Sequence, residues 1–230
     1  MTTFDINKNT ITEINSTIQQ ANDGDKFTII NPAGTHNLGV GLNTAVIVDI
    51  EGHAGYYCGS MNRNAMINIK GSGGQGVGSN IMSGTIHING NTGSACGATG
   101  HGGLIVVEGD TGSRCGIAMK GVDIFVKGSV GHMSGFMGQA GTMVICGDAG
   151  DALADSCYEV TVFVKGKVKS LGTDCEEKTM TAESIAKLKA LIKSAGSDCK
   201  VSDFKEYGPA RKLYNFQIDD VNAEIKKNKK

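Results

Sequence analysis

The apolar positions of this chain recur at a fixed step. Four and two residues before a glycine stand Val48 and Ile50, Ile67 and Ile69, Ile86 and Ile88, and Ile105 and Val107. Ile124 and Val126, Met143 and Ile145, and Val162 and Val164 continue the series. The glycines that follow are Gly52, Gly71, Gly90, Gly109, Gly128, Gly147 and Gly166, spaced 19 residues apart without an insertion. Two apolar residues separated by one other residue share a face of a strand. A mostly β-branched pair that ends at glycine therefore predicts a short strand and then a turn.

Further glycines keep the same step. Three residues after each anchor come Gly55, Gly74, Gly93, Gly112, Gly131 and Gly150, with Lys169 in the last copy. Seven residues after it come Gly59, Gly78, Gly97, Gly116 and Gly135, then Ala154 and Thr173. The unit reads G-x-x-G-x-x-x-G. One strand with glycine turns cannot bury its own apolar face, but stacked copies can. A propeller blade needs about 40 residues, so the unit is too short for one. No helical or leucine-rich pattern occupies it. The expected fold is all-β, a single-stranded parallel β-helix of seven 19-residue coils. At about 4.8 Å per strand, such a stack is roughly 30 Å tall. The glycines are expected to provide positive φ at the corners and close backbone approach.

The flanks differ from the coils. Residues 1–50 read as an irregular N-terminal cap, 51–178 as the β-helix, and 179–230 as a C-terminal helix and partner-binding tail. Within the cap, Phe27–Ile30 and Ala45–Val48 read as strands, and Ile11, Ile14 and Ile18 have helical spacing. In the C-terminal part, Ile185, Leu188, Leu191 and Ile192 form one stripe, with Thr181 as N-cap and Gly196 as stop. That helix is expected to cover an end of the solenoid or dock along its side.

Composition narrows the function classes. Gly takes 34 of 230 positions, roughly twice the usual share. It does not recur every third residue, which excludes collagen. A net charge of −1 gives no basic excess for nucleic acid or an anionic membrane. No apolar run approaches the length of a membrane span, and the N-terminus has no signal-peptide pattern. A cytoplasmic protein is expected. The seven cysteines include no C-x-x-C pair, so they read as reduced thiols that behave as small buried apolar residues.

Equivalent residues of successive coils stack on one edge, so any shared chemistry falls at a single phase of the repeat. Cys58, Val77, Cys96, Cys115, Ser134, Leu153 and Gly172 share a phase that reads as an interior ladder. Arg63, Met82, His101, Lys120, Gln139 and Tyr158 share another. The last four read as a polar ridge, either an interface or the wall of a channel, or else an ordinary solvated edge. His53, His87, His101 and His132 occupy four different phases and do not converge on a metal. Gly71-Ser72-Gly73-Gly74-Gln75-Gly76 matches a dinucleotide fingerprint, but a strand pattern rather than a helix follows it. The tail holds Tyr207, Tyr214 and Phe216 close to Arg211, a composition suited to a partner surface or to packing on the solenoid.

The coils resemble the GXGXG β-helix domain of the glutamate synthase large subunit. The segments that carry the likeness are Ala95-Cys96-Gly97-Ala98-Thr99-Gly100-His101-Gly102-Gly103 and Gly131-His132-Met133-Ser134-Gly135-Phe136-Met137-Gly138-Gln139-Ala140. Gly147-Asp148-Ala149-Gly150, Ser170-Leu171-Gly172-Thr173-Asp174-Cys175 and Arg211-Lys212-Leu213-Tyr214-Asn215-Phe216 add to it. The likeness covers roughly residues 4–217 and is nearest to the stand-alone β-helix subunit of N-methylglutamate synthase-type complexes. It implies a non-catalytic scaffold that binds no cofactor itself. The implied partners are an amidotransferase-like subunit and a synthase subunit carrying FMN and an iron-sulfur cluster, in a higher hetero-oligomer. No catalytic, cofactor or metal residue is carried over. The candidate interface or tunnel residues, read from phase and from the tail's composition, are His101, Lys120, Gln139, Tyr158, Arg211 and Tyr214. An ordinary glutamate synthase with separate subunits, formylmethanofuran dehydrogenase, and a stand-alone binding module for carbohydrate are the alternatives.

Overall fold

The apolar pairs of the repeat fall in short strands that stack coil on coil. A computed structural model describes residues 2–210. The chain runs through β1 (Thr2–Asp5), α1 (Ile11–Gln19), β2 (Lys26–Ile30), β3 (Ile47–Glu51), β4 (Arg63–Ile69), β5 (Ser83–Ile88) and β6 (Leu104–Val107). It continues with β7 (Lys120–Val126), β8 (Ala140–Ile145), β9 (Thr161–Val164), β10 (Cys175–Lys178), α2 (Ala182–Ser194) and β11 (Lys205–Pro209). A short 3-10 turn at Val201–Asp203 precedes β11.

One sheet takes all of these strands, in the order β1 through β9, then β11 and β10. From β1 to β9 every neighbour is parallel and consecutive. Ile67 faces Ile86, Ile86 faces Ile105, Ile105 faces Ile124, and Ile124 faces Met143. A second ladder of bridges climbs from Ala54 through Gly73, Thr92, Thr111, Val130 and Ala149 to Val168. This is the parallel β-helix that the 19-residue step predicts. The sheet passes residue 50 without a break, because β2 pairs with β3 and β3 with β4. At the far end the direction reverses: β11 lies antiparallel on β9, and β10 antiparallel on β11.

The interior is filled by the inward strand residues and by the predicted ladder. Cys58, Val77, Cys96, Cys115, Ser134 and Leu153 are all buried, whereas Gly172 at the end of the ladder is only half-buried. One cluster runs through the whole stack, from Phe4 and Ile14 to Val164 and Tyr207. Helix α1 closes one end. Thr10 caps it, with Glu13 completing a reciprocal capping box, and Ile14 and Ile18 are fully buried. Asn15 and Gln19 donate to the carbonyls of Asn37 and Val40 in the adjoining loop.

Helix α2 starts at Thr181 and stops before Gly196, as its sequence predicts. It docks along the side and not over an end. Leu188, Leu191 and Ile192 join Val106, Phe125, Val144 and Phe163 in a second apolar cluster. Those four strand residues point outward, away from the interior. Lys187 reaches Asp123 of β7 at 2.7 Å and anchors the helix.

The glycines divide the two expected roles between them. Gly97, seven residues after its anchor, has φ +67°, and a side chain there would strike Ile124 of the next coil. The anchors are a steric matter instead, since past Gly52 their φ is not left-handed. At Gly71 a Cβ would fall 2.7 Å from the Gly52 carbonyl carbon one coil below. Two further corners of each coil are left-handed, in most coils without glycine. Tyr57, Ala95, Arg114 and Met133 hold one, and Met61, Thr99, Ala118 and Met137 the other, with φ between +50° and +59°. Inter-coil hydrogen bonds hold this backbone, as where Ala95 N donates to Ser113 O at 2.9 Å and Arg114 N to His132 O at 2.9 Å.

Candidate functional site

The predicted ridge is a true column. His101 N donates to Ile81 O and Lys120 N to Gly100 O, both at 2.7 Å. Gln139 N donates to Met119 O at 2.7 Å, and Tyr158 N to Gly138 O at 2.8 Å. Each ridge residue is thus tied by its N–H to the coil below it. His101, Lys120 and Gln139 are exposed, whereas Tyr158 is half-buried. Met82, in the same column one coil below His101, is also exposed, so the polar ridge continues into an apolar surface.

The ridge ends at a cavity. Tyr158 lines a recess of about 470 Å³ with Val160, Lys178, Tyr207, Pro209 and Ala210. Beside it lies a second recess of about 510 Å³ under the start of α2, and Glu159, Thr161 and Glu206 line both. Its inner wall includes Phe163, and Lys187 and Glu183 reach it from α2. Arg211 and Tyr214 lie outside the described residues.

The left-handed corners form another exposed surface. Tyr57 and Met61 are 45 % and 50 % exposed and line a shallow cleft with Val40, Asn37 and Ser79. Tyr56 stacks on His36 with ring centroids 4.4 Å apart. Large apolar groups gathered on a corner suit contact with another protein better than contact with water.

The histidines stay apart, as their phases indicate. His53 Nδ1 accepts the N–H of Ser72 at 3.0 Å, and His36 Nδ1 accepts that of Tyr56 at 2.8 Å. His87 Nε2 lies 2.7 Å from Glu108, which also meets Lys127 at 2.8 Å. Burial alone would raise the Glu108 carboxyl, but Lys127 and His87 outweigh it and hold it below the usual carboxylate range. Among the described residues, no three His, Cys, Asp or Glu side chains are grouped to hold a metal ion. No helix follows the Gly71–Gly76 motif; the chain proceeds directly to β5.

The cysteines only partly match the expectation. All are free thiols, but Cys146, Cys175 and Cys199 are half-buried while Cys58, Cys96, Cys115 and Cys157 are buried. Burial pushes the Cys58 thiol up to about 12. The Cys115 thiol is raised too, by its contact with Cys96 and by burial. These interior sulfurs behave as apolar side chains.

One feature was missed in the sequence reading. The residue after each anchor forms an exposed polar ladder of His53, Ser72, Asn91, Asp110, Ser129 and Asp148. Each side chain accepts the backbone N–H of its equivalent in the next coil, from Ser72 up to Lys167. The signal was visible as a run of short side-chain acceptors at one phase.

Among the described residues, no helix is long and apolar enough to cross a membrane. No family model matches the sequence. Protein GlxC of Rhizobium meliloti is 48 % identical over 207 residues, which covers 90 % of this chain and 91 % of that protein. Nearly half of the aligned positions agree over nine-tenths of the chain, and on that ground the chain belongs to the GlxC family.

Proposed function

We propose that this chain is the scaffold subunit of a glutamate synthase-like complex, of the N-methylglutamate synthase type. In this reading, partner subunits convert glutamate and methylamine to N-methylglutamate and ammonia. An amidotransferase-like chain and a chain with FMN and an iron-sulfur cluster sit on the β-helix, which fixes their separation and orientation. Holding two centres in register raises effective concentration without any reacting side chain. A stack of hydrogen-bonded coils is well suited to this, because each coil is tied to the next by two ladders and cannot shear freely.

The observation that carries the reading is the ridge of His101, Lys120, Gln139 and Tyr158, held in one column over four coils and ending at a recess. The exposed heads of His101, Lys120 and Gln139 can meet a partner or line a path for a small amine. The glutamate synthase part of the reading rests on the sequence segments quoted above. The test is purification of the tagged protein from its native host, with subunit identification and a flavin absorbance spectrum. Co-purification of both partner chains with flavin, and turnover with methylamine, is the expected result. Turnover with glutamine alone would assign an ordinary glutamate synthase. A colourless monomer would leave a stand-alone binding module.

A further inference from the structure

Two of the half-buried cysteines meet across elements that are far apart in sequence. Cys146 follows β8 and keeps its place in the sheet by donating its N–H to Val126 O at 2.9 Å. Cys199 lies between α2 and the 3-10 turn. Their sulfurs are 3.6 Å apart. Both sit at the margin of the apolar cluster under α2 rather than in the solenoid interior. Lys165 Nζ is 3.9 Å from the Cys199 sulfur and is itself held by Asp203 at 3.2 Å. A cation therefore stands beside the sulfur that carries the negative charge as a thiolate before attack.

We propose that Cys146 and Cys199 form a reversible thiol–disulfide latch that hydrogen peroxide closes, fastening the α2 segment to the outer face of the β-helix. The Cys199 thiolate attacks one peroxide oxygen. The O–O bond breaks, and hydroxide leaves and takes up the proton that the thiol released, giving water and a sulfenic acid on Cys199. The Cys146 sulfur then attacks the Cys199 sulfur. The S–O bond breaks, the S–S bond forms, and the hydroxyl departs with the Cys146 proton as a second water. Two electrons pass from the two sulfurs to one peroxide.

The geometry favours this pair over Cys96 and Cys115. Bond formation needs the sulfurs to close from 3.6 Å to about 2.05 Å. The connection after α2 that carries Cys199 is neither helix nor strand and can supply that movement. Cys96 and Cys115 are fully buried, out of reach of a solvent oxidant. The latch would act on a defined part of the fold. It ties down the segment that leads into β11, the strand that extends the sheet from β9 to β10.

The test uses the full-length protein titrated with hydrogen peroxide and digested without reductant. The expected result is a linked peptide joining Cys146 and Cys199, two thiols lost, and a rise in melting temperature of about 5 °C. Dithiothreitol should reverse all three. Cys199→Ser and Cys146→Ser should each abolish the linked peptide and the rise. Cys199 lies outside the sheet, so its variant serves even if Cys146→Ser fails to fold. The proposal is overturned if Cys199 passes to the sulfinic acid without linking. It is equally overturned if Cys157 and Cys175 link while this pair stays reduced, or if the link forms without a thermal shift.

Discussion

Asp110 Oδ1 accepts the backbone N–H of Ser129, one coil above it, at 2.7 Å. The bond occupies a place where a plain turn would leave an N–H to water. Six such bonds follow one another up the stack. Asp110→Ala should therefore destabilise the protein by about 1 kcal/mol, the typical net worth of one hydrogen bond. Asp110→Asn keeps an acceptor and should stay near the native value. Urea unfolding of the two variants checks this, and equal losses would show that the ladder bond contributes nothing.

Gly112 tests the close approach of coils. A Cβ there would fall 2.7 Å from Ser94 N and 2.8 Å from the Gly93 carbonyl carbon. Backbone cannot rotate away as a side chain can. Gly112→Val should cost roughly 3 kcal/mol or more, or prevent folding altogether. Expression yield and circular dichroism measure it; a variant with a native spectrum and melting temperature would refute the steric account.

Phe125 is fully buried although it points out of the solenoid. It is covered from the side of α2, with Leu188 and Ile192 in the same cluster. Phe125→Ala should cost about 3 kcal/mol. The loss should be local, so hydrogen exchange is expected to speed up in residues 182–194 before the coils open. Uniform acceleration over the whole chain would contradict this.

Acid should weaken the outer strip of coils around Glu108. Its carboxyl sits below its ordinary value of 4.5 in the folded chain, after Lys127 and His87 have overcome the burial penalty. A depressed carboxylate contributes stability that is present above the unfolded value and lost as pH falls through the folded one. Melting temperature should therefore decline as pH drops from about 5. Glu108→Gln should flatten that decline. An unchanged slope in the variant would remove Glu108 from the explanation.

The ridge can be separated from folding. Lys120→Glu reverses one charge, and Gln139→Ala shortens its neighbour in the column, both at exposed positions. Each should leave the melting temperature within about 1 °C of native, as surface substitutions generally do. Assembly with the partner chains, or turnover of the assembled complex, should fall several-fold. Native assembly and turnover in both variants would reject a functional ridge.

The sequence by itself determined the coil, because a 19-residue step leaves a strand pair only one way to bury itself. Local signals sufficed for both helices as well: the spacing of Ile11, Ile14 and Ile18 for α1, and Thr181 with Gly196 at the two ends of α2. The ridge was legible since phase alone fixes which residues stack. Where α2 lies was decided by tertiary structure. The residue between the apolar pair is Asp49, Asn68 and His87 in the early coils, then Val106, Phe125, Val144 and Phe163 in the later ones. That change creates an apolar outer strip, and among the described residues α2 covers it together with Phe204. The reversal at β11 is likewise invisible locally, since Lys205–Pro209 gains its partners only once β9 offers a free edge. The meeting of Cys146 with Cys199 follows from the same docking, for sulfurs 53 positions apart become neighbours only when the helix between them has found its strip.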